Sequence, residues 1–222
     1  MSVLGLLFFL FSCQSTPKTE AAQATPTAME EIKYTPASKE GAQTYLVKDG
    51  TIEWVGTKTV SKSKHEGTIS VKSGELLVNN GQLVSGNVLI DMSSIAVTDI
   101  KDPGERRDLE SHLKDADFFE VNQYPLATFV FEEVLPNTSP EFNWVLVGQL
   151  TMKDKTIPVN IPVKITLQGE TLRAESAAFP INRTKWGVTF HSGMLGTVKD
   201  KMINDMVPIR LKITAKSASK QQ

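Results

Sequence analysis

The chain has 222 residues, of which 40% are hydrophobic and 22% charged, enough for one sizeable domain with its own core. A formal net charge of −1 provides no basic field for nucleic acid, and neither a Walker-type nor a dinucleotide-binding glycine loop is present. The single cysteine, Cys13, excludes an intramolecular disulfide, so stability has to come from packing.

The first element is an apolar run from Val3 to Phe11, broken only by Gly5 and followed by Ser12 and Cys13. A helix of about twelve residues spans roughly 18 Å, short of the ~30 Å hydrocarbon core of a bilayer. The run therefore reads as the apolar region of a secretory signal, residues 1–12. Leu10-Phe11-Ser12-Cys13 resembles the lipobox of bacterial lipoproteins, which implies cleavage before Cys13 and acylation of its new N-terminus. Two features depart from that pattern: no Lys or Arg precedes the run, and Phe11 is bulky for its position. The alternative is an ordinary cleaved signal with Cys13 lost or left free.

Residues 14–41 are rich in Thr, Ala, Pro, Lys, Glu and Gln and offer little to bury, so a disordered tether over 13–41 is expected. As a coil it spans roughly 29 Å. From residue 42 to 216 the dominant signal has period two. Ile157, Val159, Ile161, Val163, Ile165 and Leu167 alternate with polar residues or proline, and so do Val207, Ile209, Leu211, Ile213 and Ala215. Val84, Gly86, Val88 and Ile90 form a third such set, and shorter ones occur at 45–47, 51–55, 68–71, 126–134, 142–151 and 172–181. Each reads as a strand with one buried face. Asp49-Gly50, Asn80-Gly81 and Gln168-Gly169 read as tight turns. Pro158 and Pro162 cannot donate to a ladder, so their strand should have an edge-like or bulged stretch. Together these features predict an all-β fold, an eight-stranded antiparallel up-and-down barrel, with a two-sheet sandwich as the alternative. Eight strands enclose either a packed interior or one small ligand.

One segment breaks the alternation. Asp102-Pro103-Gly104-Glu105 has the chemistry of a helix start, and Leu109 and Leu113 fall four apart on one face. A short helix near 103–116 is predicted, crossing over or plugging one end of the barrel. The tail, residues 217–222, is polar.

Four ordered blocks then carry a resemblance. They are Glu110–Val121 with Tyr124-Pro125 and Thr128-Phe129; Gly148–Met152 running into Thr156–Val159; Arg183–Gly187 leading to Ser192-Gly193; and Lys199–Asp205 before the last strand. In this order they resemble the YceI-like lipid/polyisoprenoid-binding family over about residues 43–216. The resemblance implies a lipocalin-like barrel that holds a long isoprenoid or similar amphiphile, export to the periplasm, and neither catalytic residues nor a metal. Members are often soluble and periplasmic, whereas a lipobox-like start implies attachment to a membrane through acylated Cys13. Gln14 after the cysteine points, by the same kind of resemblance, to the outer membrane.

Candidate ligand-contacting residues follow from position and chemistry. Arg107 and Arg183 could pair with an anionic head group, as could His112 by hydrogen bonding. Each also has a structural reading: internal pairing or exposure for the arginines, a helix-to-barrel hydrogen bond for His112. Phe118, Phe119, Phe129, Phe131, Ile161, Val163, Trp186 and Phe190 could line the cavity, with Trp186 and Phe190 alternatively closing the barrel base as core. His65, His112 and His191 lack the short spacing of a zinc site, and Ser192 with His191 sits in no nucleophile elbow, so neither metal nor nucleophilic chemistry is expected. Lys62-Ser63-Lys64-His65 is a small basic run in a loop, either merely solvated or attracted to anionic lipid. The function expected is non-enzymatic binding or transport of a long-chain apolar amphiphile, with no cofactor; a homodimer is compatible with the sequence. The competing reading is a membrane-tethered interaction barrel with a solid core, working through its loops.

Overall fold

The period-two segments fold into one closed antiparallel sheet. A computed structural model describes residues 37–193 and 196–218; Cys13 and most of the expected tether lie outside these residues. The strands are β1 (Gln43–Thr57), β2 (Lys64–Asn79), β3 (Gln82–Val97), β4 (Leu126–Pro136), β5 (Trp144–Met152), β6 (Lys155–Gln168), β7 (Thr171–Ser176), β8 (Phe179–Asn182) and β9 (Met206–Ser217). Each pairs antiparallel with the next through β7, and β9 pairs with β7, β8 and β1, which closes the barrel.

β7 and β8 pair with successive stretches of β9, so they are two segments of one stave and the barrel has eight. The expected single strand over 172–181 is broken for a local reason. Ser176 Oγ accepts from the Leu211 N–H at 2.7 Å, taking the place of a ladder carbonyl. Below the break Pro180 faces Pro208, and neither has an N–H to give.

Asn80 and Gly81 take left-handed φ of 50° and 76° in a two-residue hairpin between Asn79 and Gln82. Asp49-Gly50, expected as a turn, is instead a β-bulge inside β1, where the register against β9 shifts between Val47 and Asp49. The glycine is needed for close approach, because a Cβ at residue 50 would lie 2.7 Å from Val71 Cβ.

Between β3 and β4 runs the helix α1 (Pro103–Lys114), capped by the Asp102 carboxylate, which accepts from the N–H groups of Gly104 and Glu105. Glu110 Oε1 accepts from the Val97 N–H at 2.9 Å, pinning the helix to the end of β3.

The closing pair β1–β9 also carries charge complementarity. Glu53 lies opposite Arg210 and takes a 2.7 Å bond from Lys212. That bond holds the Glu53 carboxyl below its ordinary value of 4.5, against a smaller opposing effect of burial. Asp91 is lowered likewise by the Ser93 hydroxyl. A carboxyl with a depressed folded pKa contributes stability above its unfolded pKa and loses it as pH falls. The thermal midpoint should therefore drop between about pH 5 and pH 3, and Glu53→Gln should flatten part of that decline in a calorimetric pH series.

Candidate functional site

The inward side chains fill the barrel unevenly along its axis. At one end, which bears the β2–β3 and β6–β7 turns and both ends of the described chain, they meet across the middle. Tyr45, Leu76, Phe131, Leu146, Val163 and Leu172 belong to this packed half, with Phe131 only 1% exposed and Val163 fully buried. At the other end the side chains leave a cavity of about 160 Å³. Its wall comes from Ile52, Trp54 and Gly56 of β1, Val88, Ile90 and Met92 of β3, Phe129 of β4, Val159 and Ile161 of β6, and Ile181 and Val207 near the rim. Arg183 is the one charged residue in that lining.

The floor lies one side-chain step along each strand. Phe129 lines the cavity while Phe131, two residues on, does not; the rings stack at 5.9 Å with 24° between planes. Ile161 and Val163 divide in the same way on β6. Gly148 of β5 lets Phe129 lie flat against the wall, since a Cβ there would come within 2.7 Å of the Phe129 ring.

The roof is built from α1, the segment after it, and the irregular stretch from Arg183 to Asp205. Leu113, Phe118 and Phe119 reach the cavity from the helix side. Phe118 and Phe119 were expected to face opposite ways; both contact the cavity because residues 115–124 form tight turns rather than a strand. His112 is not in the lining. Its ring packs edge-on against Phe118 at 5.0 Å and Phe190 at 4.8 Å, and Nε2 lies 3.1 Å from Asp117. It joins the helix to the opposite loop. Phe190 packs in that cluster and stacks on His191 at 4.0 Å. Arg107 lies on α1 away from the cavity wall.

Arg183 holds the second half of the roof. It opens a 3-10 turn (Arg183–Trp186) capped by Asn182, and it is 4% exposed. Its five N–H groups go to the carbonyls of Asn204 (3.2 Å), Val188 (2.9 Å), Phe190 (3.0 Å) and Ile203 (3.2 Å) and to Asp205 Oδ1 (3.2 Å). Burial pushes the guanidinium pKa down and Asp205 opposes this; an arginine so placed stays charged. With every donor engaged, Arg183 serves the loop rather than a head group, the structural reading of the two open in the sequence. Trp186 is fully buried and donates Nε1–H to the Leu150 carbonyl at 3.0 Å, sealing the roof against β5. Ser192 is buried and donates to Asp205 Oδ2 at 3.0 Å, while His191 lies against Phe190, so these two do not form a nucleophile–base pair. His65 pairs with Asp99 and His112 with Asp117; among the described residues no three metal-ligating side chains converge.

Sequence reasoning missed the β1 and β3 contributions. Ile52, Trp54 and Gly56 share one phase of the 51–55 alternation, as Ile90 and Met92 share that of β3, so the signal was present but does not report height along the barrel.

The profile of the YceI-like domain family matches residues 46–215, the whole of the barrel from β1 to β9. The chain belongs to the YceI-like domain family. A Yersinia enterocolitica relative, UPF0312 protein YE1254, is 31% identical over 83 residues, 37% of this chain and 38% of that protein. The match thus spans well under half the length of this curated relative. Two solved structures share the fold: BcnA from Burkholderia cenocepacia (TM-score 0.57, 22% identity, 75% of this chain and 96% of that one) and a polyisoprenoid binding domain from Saccharophagus degradans implicated in plant cell wall breakdown (TM-score 0.56, 12% identity, 79% and 99%).

Two substitutions separate wall from frame in this YceI-like domain. Arg183→Met should cost about 3–5 kcal/mol in urea unfolding, because it strands buried carbonyls and Asp205. Phe131→Ala should cost a similar ~3–5 kcal/mol by opening a void in the packed half. Arg107→Ala should leave the midpoint within about 0.5 kcal/mol.

Proposed function

We propose that the half-hollow barrel binds the apolar chain of a long-chain amphiphile, isoprenoid or fatty-acid-like, without covalent chemistry. The observation that carries this reading is a cavity walled by side chains from most staves, with Arg183 its sole charged residue and that residue's donors all committed to protein. The Saccharophagus domain of like fold, described as polyisoprenoid-binding, supports the same class of ligand.

The size of the cavity sets a condition. At about 160 Å³ it is comparable to a cavity that takes one benzene-sized guest. A five-carbon unit gains about 4 kcal/mol at ~0.8 kcal/mol per buried carbon. That falls at the bottom of the roughly 4–15 kcal/mol lost on association. Fifteen buried carbons gain on the order of 12 kcal/mol, so useful affinity requires the barrel to widen around a longer chain. Specificity then comes from bore and depth more than from polar contacts. Trp54 supplies the exception: its Nε1 is buried without a hydrogen-bond partner among the described residues, a donor that a ligand oxygen within reach would satisfy.

Gly56 offers a clean block. It lines the cavity, and a Cβ there would meet nothing closer than 3.9 Å, so a side chain can enter the bore without distorting β1. Gly56→Leu should weaken binding of a fluorescent polyisoprenoid or fatty-acid probe at least about tenfold, some 1.4 kcal/mol, with the melting temperature held. Equal binding by this variant and the parent, or only protein of apo mass in native mass spectrometry after gentle purification, would remove the lipid-binding reading.

Location is part of the proposal. The Val3–Phe11 run followed by Cys13, both outside the described residues, is taken as an export signal with a lipidation site. Two or more acyl chains at Cys13 would hold the protein stably on the periplasmic side of a bacterial membrane, the outer one by the choice of Gln14, with residues 14–41 as tether. Cys13→Ala should then shift the protein from the membrane fraction to the soluble fraction; unchanged membrane association contradicts acylation.

A further inference from the structure

Two loops at the cavity end are locked into one unit. The β1–β2 loop and the stretch before β9 join through a bridge between Lys58 and Ile203. The Thr59 N–H donates to the Met202 carbonyl at 2.9 Å, and the Asn204 N–H donates to the Thr57 carbonyl at 2.8 Å. The Asn204 side chain adds bonds to Thr59 Oγ1 and Thr57 Oγ1. The unit borders the cavity directly, because Gly56 and Ile203 are both in its wall.

The outer face of this unit combines two features that are separate elsewhere on the molecule. Val60 at 51% and Val198 at 67% exposure are loop tips with their side chains in water, and Met206 (49%) lies beside them. These are three of the four large hydrophobic residues exposed among the described residues. Around the tips stand Lys58, Lys62, Lys199 and Lys201, all exposed and none in an ion pair among the described residues, against a single acid, Asp200. A chain of net charge −1 thus presents a cationic, apolar-tipped rim at the opening of its cavity.

We propose that this rim docks the barrel, mouth first, on an anionic lipid bilayer. Lysine side chains suit anionic head groups, while Val60 and Val198 can enter the acyl boundary between them. Continuity of the rim with the cavity gives the docking its use: a chain leaving the bilayer passes into the barrel without crossing water. That use rests on the lipid-binding reading above; the docking itself does not. The packed end, where residues 37–43 join the barrel, faces away from the docked surface.

Cosedimentation of the full chain carrying Cys13→Ala with phosphatidylcholine vesicles, with and without about a third phosphatidylglycerol, tests it. Comparison between vesicle types and between variants in one background cancels any affinity of the 3–11 run. Partitioning should favour the anionic vesicles and weaken as salt rises from about 0.1 M to 0.5 M. Lys62→Ala with Lys199→Ala should lower it about 25-fold, roughly fivefold per charge. Val60→Asp with Val198→Asp should lower it further even at high salt. Equal partitioning on neutral and anionic vesicles, or no loss in the double-lysine variant, overturns the proposal. If a variant fails to fold, the salt and head-group dependence of the parent protein still decides. Binding of a soluble apolar probe, measured in the same samples without vesicles, reports separately on the cavity: loss of docking with intact probe binding sinks only the rim, and the reverse sinks only the lipid-binding reading.

Discussion

A closed eight-stave barrel has more interior than a ring of ordinary inward side chains can fill, and this chain fills only half of it. The strands are long, up to 16 residues, so each sends several inward residues down the axis. Where those residues are Phe131, Leu146, Leu172 and their neighbours, the axis is closed. Where they are Ile, Val, Met and Gly, with the one aromatic ring of Phe129 laid flat against Gly148, it stays open. Stability and cavity are thus separated along the same strands. The packed half anchors the fold and the hollow half is free to hold something else.

An irregular roof over such a cavity poses a backbone problem. Residues 183–205 leave the sheet, and carbonyls turned toward an apolar interior need donors. A single guanidinium meets four of them and is balanced by Asp205, which also holds Ser192. Planar geometry and five fixed donors make arginine suited to this; a lysine has too few. The same commitment removes Arg183 from ligand recognition, which leaves the cavity without a free charge and favours a ligand whose buried part is hydrocarbon.

Much of this was legible in the sequence. Period-two runs marked β6 and β9 over nearly their full length, and Asp102-Pro103 marked the start of α1 to the residue. The Asp49-Gly50 pair misled because turn chemistry and bulge chemistry draw on the same residues; only the partner strands decide between them. Alternation tells which side of a strand faces inward but carries no coordinate along the barrel axis. Phe129 and Phe131, or Ile161 and Val163, were therefore indistinguishable as candidates, yet the floor of the cavity passes between the members of each pair. Arg183 was ambiguous for a related reason: its role is set by carbonyls that have no sequence signature.

Pro158 and Pro162 connect the fold to the widening that a long ligand requires. The Pro162 carbonyl accepts from the Ala177 N–H, so position 162 directs its backbone away from β5, and by the period of the strand position 158 does the same. Proline at both sites withholds donors from that side. Below residue 163 β6 accordingly pairs with β5 alone, while β8 pairs with β9 alone, and the wall between Val159–Ile161 and Phe179–Ile181 is closed by side chains and not by a ladder. Both edges of this seam line the cavity, and the Arg183–Trp186 turn packs over β6 beside it. Separating two sheet edges that share no hydrogen bonds costs apolar contact only, and an incoming hydrocarbon chain restores that contact. The seam is the part of the barrel that can yield without breaking the ladder, and it lies where the extra carbons would have to go.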